Sequence, residues 1–290
     1  MKFDPEHRST DLIDRRGGGG GRGAGGVPSH ALLGAVSLIK SKFGWAGVAV
    51  AVALYFAVGG LGSQGPRSAS APIGGTGVQN DAESAQVGFV SSVLDHTQDA
   101  WTTLMPGYRR AKLVLYRGRT STACGLGKSA TGPFYCPADS TAYLDLSFFE
   151  QLSRQLGAPG DFAAAYVIAH EIGHHVQNLT GANARVARAP RDQQSGDGGL
   201  SVRLELQADC YSGVWASVAQ RDGLLEAGDI EEALTAAAAI GDDKLQRDAT
   251  GTVRPETFSH GTSAQRARWF RVGMQSGDPN ACDTFAARRL

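Results

Sequence analysis

The stretch DFAAAYVIAHEIGHHVQ, residues 161 to 177, decides how this chain is read. Ala163, Ala164 and Ala165 are strong helix formers, Asp161 suits a helix N-cap, and Pro159 and Gly160 interrupt whatever precedes it. Ala165, Ile168, Ala169, Ile172 and Val176 recur at the three-to-four spacing of a buried stripe, which predicts a core helix. On it His170 and His174 lie on one face, one turn apart. Two imidazoles so placed can bind one Zn²⁺, and Glu171 beside the first can reach water at the metal as a general base. Histidines merely solvated or satisfied in the core are the weaker reading, because the chain carries few His and Glu from which the pattern could arise by chance. His175 points about 100° away from His174 and is expected to be structural.

A catalytic zinc takes three protein ligands, so a third must come from elsewhere. Ser201 to Ala219 reads as a helix with Leu204, Ala208, Tyr211, Val214, Trp215 and Val218 at core spacing, and it carries Glu205 and Asp209 on one face. Two stacked carboxylates in so apolar a helix would be costly to bury without a cation or strong donor. Glu205 is therefore the expected third ligand, and Asp209 the acceptor that orients a ligand imidazole. The alternative is an exposed acidic edge of an amphipathic helix.

Upstream, residues 1–42 begin polar and become glycine-rich, with arginines around Gly17 to Gly21, a composition that cannot offset its ordering entropy. A disordered tail is expected; an Arg-Gly nucleic-acid segment would interleave aromatic residues, and none are present. From Phe43 to Gly62 no charge interrupts an apolar run whose helical length, about 30 Å, matches the hydrocarbon layer. Lys40 and Lys42 precede it and only Arg67 follows closely, so the positive-inside rule predicts one crossing with residues 1–42 cytoplasmic and the rest outside. A cleaved signal peptide ending near Ala69-Ser70-Ala71 is disfavoured by the long polar region before the run, and a buried soluble helix by the lack of a polar face. Residues 63–80 read as a flexible linker, and 81–290 as the folded domain.

The 290 residues suffice for one or two domains, and 28 basic residues balance 28 acidic ones, so nothing global points to nucleic acid. Cys124, Cys136, Cys210 and Cys282 include no C-x-x-C pair. In an extracytoplasmic domain Cys124 and Cys136 are expected to bond across a glycine-containing loop. Cys210 with Cys282 follows by elimination, although four cysteines permit three pairings. Val87 to Leu104 continues at helical spacing, AKLVLY (111–116) and AYLDL (142–146) are strand candidates, and the chain from Ser147 onward looks almost wholly helical. Asn183 to Gly199 is expected to form a long mobile loop, and the sequon at Asn178 is discounted as a chance match.

The H-E-x-x-H pattern followed by E-x-x-A-D resembles the gluzincin-type metallopeptidases, including the membrane CAAX-type proteases. Together with GPFYCPAD (132–139), LDLSFF (144–149), HEIGHHVQ (170–177) and LELQADC (204–210), the chain is similar over nearly its whole length to the bacterial putative neutral zinc metallopeptidase family. The resemblance implies an α+β, mainly helical zincin-like domain with a small sheet behind one transmembrane helix, a zinc cofactor and hydrolysis of peptide or protein substrates. His260 precedes a helix from about Thr262 to Gln275, and the CAAX-type likeness implies a donor to the oxyanion of the tetrahedral intermediate; a capping or core histidine is the alternative. Arg266, Arg268 and Arg271 are expected on a solvated face that pairs with Asp or Glu, with an anionic substrate or lipid surface as the alternative. The expected function is that of a membrane-anchored zinc metalloendopeptidase with Glu171 as base. Its rival is an anchored, non-enzymatic binding protein with a structural zinc.

Overall fold

A computed structural model of the chain describes residues 1–17 and 81–290, which form one compact unit. The uncharged run 43–62, the linker 63–80 and the rest of the tail lie outside the described residues. Among the described residues no helix is long and apolar enough to cross a membrane.

The unit opens with a short strand, β1 (Leu12–Asp14), and a long helix, α1 (Asp81–Leu104). Strands β2 (Lys112–Tyr116), β3 (Arg119–Thr122), β4 (Gly125–Lys128), β5 (Phe134–Cys136) and β6 (Thr141–Asp145) follow. The remainder is helical: α2 (Ser147–Arg154), α3 (Asp161–Thr180), α4 (Ala182–Arg188), α5 (Arg191–Gln194), α6 (Leu200–Arg221), α7 (Asp229–Ala239), α8 (Asp242–Thr250) and α9 (Ser263–Ser276). The main sheet has the order β1-β2-β6-β5, and β3 with β4 forms a separate hairpin. Strand β2 pairs in parallel with both β1 and β6, while β5 runs antiparallel to β6 and forms the opposite edge. The α+β, mainly helical architecture with a small sheet is the one expected.

Helix α3 runs through the core, with Phe162, Ala163, Ala165, Tyr166, Ala169 and Ile172 fully buried. Phe162 stacks on Trp215 of α6 with ring centroids 5.6 Å apart. Two glycines let α6 and α9 touch backbone to backbone: a Cβ at Gly213 would lie 2.1 Å from the Phe270 carbonyl oxygen, and one at Gly273 would lie 1.9 Å from that of Cys210. A disulfide joins Cys210 to Cys282, and a second joins Cys124 to Cys136, both as expected. Thr262 and Gln265 form a reciprocal capping box that starts α9.

Three expectations need correction. Residues 1–17, expected to be disordered, are part of the fold: β1 pairs with β2, and Met1 and Arg16 are buried. Ion pairs add to its apolar contacts, since Asp11 accepts from Arg110 and Lys112, Arg16 is paired with Asp14 and Glu83, and Met1 and Leu12 join the hydrophobic core. Asp161 does not cap α3; Gly160 takes that position, the Asp161 carboxylate binds the Met1 ammonium at 2.7 Å, and Glu232 accepts from the Phe162 amide. The segment 183–199 is not one long loop, because Ala182–Arg188 and Arg191–Gln194 are helical.

Candidate metal centre

Gly173 stands between the two histidines of interest, and a Cβ there would meet the Ala208 carbonyl oxygen at 3.1 Å. That close approach lays α3 on α6, bringing Glu205 and Asp209 opposite His170 and His174. The Glu205 carboxylate lies 3.3 Å from His170 Nε2 through one oxygen and 3.6 Å from His174 Nε2 through the other. All three residues can offer one ligand atom within 4.8 Å of the others. Tetrahedral zinc, with bonds of about 2.0–2.1 Å to nitrogen and similar ones to oxygen, sets its ligand atoms roughly 3.3 Å apart. The donor set therefore fits zinc in both spacing and chemistry.

Each imidazole is also held in the tautomer a metal needs. His170 Nδ1–H donates to Asp209 Oδ1 at 2.9 Å, and His174 Nδ1–H donates to Gln177 Oε1 at 2.8 Å, so both Nε2 atoms face Glu205. Gln177 is itself fixed, because its Nε2 donates to the Leu204 carbonyl at 2.6 Å. Asp209 is wholly buried and accepts additionally from Tyr166 Oη at 2.5 Å and from Arg266 through Nε and Nη2, each at 2.9 Å. Burial raises the Asp209 pKa, but Arg266 and His170 outweigh it and hold the carboxyl below its usual range. Burial likewise opposes protonation of His170, yet Asp209 and Glu205 lift it to about 9. Glu205 behaves as an anion: burial would raise its pKa, but His174 and His170 take it well down.

Glu171 differs in kind. It is 9 % exposed, and Oε2 is buried without a hydrogen-bond partner, which makes it available to a proton that arrives in the site. Burial raises its pKa against the pull of His174 and His170. His170, Glu171, His174, Glu205 and His260 line one cleft of about 620 Å³, whose other walls include Phe134, Phe148, Val186 and Ile240.

His260 lines the same cleft as His170, Glu171, His174 and Glu205, and Asp242 orients it. His260 Nδ1–H donates to Asp242 Oδ1 at 3.1 Å, while Asp242 Oδ2 accepts from the backbone amides of Ser259, His260 and Gly261. The hydrogen bond to Asp242 raises the His260 pKa above its ordinary value.

Arg266, expected on a solvated face, is instead 2 % exposed, and its expected acidic partner is the buried Asp209. A signal existed: Arg266 shares the three-to-four spacing of Trp269, Phe270 and Gly273, the buried stripe of α9. Arg268 and Arg271 are exposed, as expected. His175 is structural, as expected: its Nε2–H donates to the Arg109 carbonyl at 2.5 Å, and its Nδ1 accepts from Tyr135 of β5 at 2.8 Å. Asn178, whose side chain donates to Tyr135 Oη and to the Pro137 carbonyl, is committed to the same junction. A second acidic group, Asp161, Asp229 and Glu232, lies at the start of α3, where Asp161 and Asp229 bind the Met1 ammonium.

The profile of the family described as "Putative neutral zinc metallopeptidase" matches residues 1–285. The chain belongs to that family. It is 44 % identical over 291 residues to the uncharacterized protein YpfJ of Escherichia coli K12, covering 98 % of this chain and 99 % of that one. It is also 51 % identical over 201 residues to the uncharacterized protein Rv2575 of Mycobacterium tuberculosis H37Rv, covering 66 % of this chain and 67 % of that one. No solved structure matches. The match takes in the described arm, 1–17, as well as the residues of the cleft.

Proposed function

We propose that the chain is a zinc metalloendopeptidase of zincin-like design, held at a membrane by the apolar run 43–62. The observation that carries the reading is the unpartnered, buried Glu171 Oε2 set beside three converging donors, because a purely structural zinc site has no use for it. His170, His174 and Glu205 would hold the metal. Zinc, when bound, supplies a Lewis acid that polarises a peptide carbonyl and makes water nucleophilic near neutral pH.

The remaining work falls to the chain. Glu171 Oε2 takes the proton of the attacking water and passes it to the leaving amine nitrogen. Burial favours its neutral form, so the carboxylate gives up little by accepting that proton. His260, pinned through Nδ1 by Asp242, offers Nε2–H to the oxygen that gains charge as the carbonyl carbon becomes tetrahedral. Asp209 and Gln177 keep the ligand imidazoles from rotating, and Arg266 keeps Asp209 ionised. The apolar walls of the cleft suit the side chains of an extended peptide and exclude water from the reacting atoms. Two disulfides fit an oxidising, extracytoplasmic compartment.

Metal content and hydrolysis of a broad peptide library, measured on the whole chain and on Glu171→Gln, test the reading. The expected result is zinc near one per chain in both, with turnover in the variant lower by ~10²-fold or more. Zinc without turnover in the unmodified chain would instead favour the binding-protein rival.

A further inference from the structure

The arm formed by residues 1–17 is built into the fold by contacts along its whole length. Lys2 donates its backbone amide to the Leu224 carbonyl at 2.8 Å, and Phe3 packs edge-on against Phe89 with centroids 5.0 Å apart. Helix α1 carries a notch for the arm at Gly88, where a Cβ would sit 1.8 Å from the Pro5 carbonyl oxygen. His7 and Ser9 both bond Asp95, each at 2.7 Å. Asp11 collects Arg110, Lys112 and Gln98, and Leu12, Ile13 and Asp14 pair in register with Leu113, Val114 and Leu115. The Arg15 amide then donates to the Leu115 carbonyl at 2.8 Å.

From this geometry we infer that the arm and residues 81–290 occupy the same side of the membrane, so the apolar run between them does not carry the chain across. A strand cannot pair in register with a partner on the other face of a bilayer, and this holds equally if the arm were exchanged between two copies of the same orientation. The inference replaces the single crossing expected from the charge step at Lys40 and Lys42. Two full crossings do not rescue it. Residues 31–62, taken as helix, give about 48 Å, whereas two passes through the hydrocarbon layer need about 60 Å. The inference does not depend on peptidase activity.

The chain as it stands offers a clean probe, since all four cysteines are in disulfides and none is free. A single cysteine introduced at an exposed position is then the one thiol a membrane-impermeant maleimide can find. Glu6→Cys and Thr10→Cys place it on the arm, and Glu256→Cys places it in the folded domain. Each full-length variant is labelled in intact cells and again after the membrane is permeabilised. The expected result is that arm and domain positions react under the same condition, with extents within about twofold of each other. Recovery of the chain in the soluble fraction with matched labelling would also support the absence of a crossing. Labelling of one region in intact cells and of the other only after permeabilisation would overturn the inference; two arm positions guard against one variant that fails to fold.

Discussion

His170 and His260 each present Nδ1 to an aspartate, at 2.9 Å from Asp209 and 3.1 Å from Asp242, yet the two pairs stand in different surroundings. Asp209 is fully buried and shares its charge with Arg266 and Tyr166. Asp242 spends one oxygen on three backbone amides and holds a histidine that stays exposed to the cleft. The difference suits the two roles proposed for them. A metal ligand must keep one orientation and one tautomer, which a dry, charge-balanced network enforces. A donor to a transient oxyanion must reach substrate and keep a proton, which an aspartate at the rim supplies.

The largest effect should come from breaking the balance of the buried pair. Arg266→Met strands the Asp209 carboxylate without its cation, and the expected cost is about 3–5 kcal/mol of stability. Thermal or denaturant unfolding of the protein would read it, and the double variant Arg266→Met with Asp209→Leu should recover much of the loss. A milder change, Asp209→Asn, leaves Arg266 in place and removes the charge behind His170. Zinc affinity should fall ~10–100-fold, measured by competition with a chelator.

The rim pair should fail differently. Asp242→Asn keeps an acceptor for the backbone amides but lowers the His260 pKa. The donor form is the imidazolium, so activity is lost as pH rises through that pKa, and the alkaline limb of the pH–rate profile should move to lower pH with zinc content unchanged. The acid limb belongs to Glu171, which must be deprotonated to act; activity is lost as pH falls through a pKa that burial has raised, and Asp242→Asn should leave that limb in place. The smallest effect is expected from Gly88→Leu, which closes the notch that Pro5 fills. Limited proteolysis should then cleave the arm, with the cleft and its zinc unaffected.

How far the sequence revealed these features follows the range of the forces involved. Helices α3 and α6 were legible because their apolar stripes are periodic within twenty residues, and the paired carboxylates at Glu205 and Asp209 announced a buried cation. The arm was not legible: three strand residues, Leu-Ile-Asp, carry little periodicity, and their partners stand about a hundred positions away. Asp242 was hidden for a similar reason, since its value lies in amides and an imidazole contributed by a separate turn at Ser259 to Gly261. Arg266 was misplaced because charge was weighed above its position on the stripe of α9.

The most direct test of the metal centre is zinc binding by Glu205→Gln, measured beside the unmodified chain and Asp209→Asn. The account predicts that loss of a ligand lowers zinc affinity more steeply than the ~10–100-fold expected for Asp209→Asn, and that turnover falls with it. Zinc affinity unchanged in Glu205→Gln would contradict the account and remove Glu205 from the ligand set.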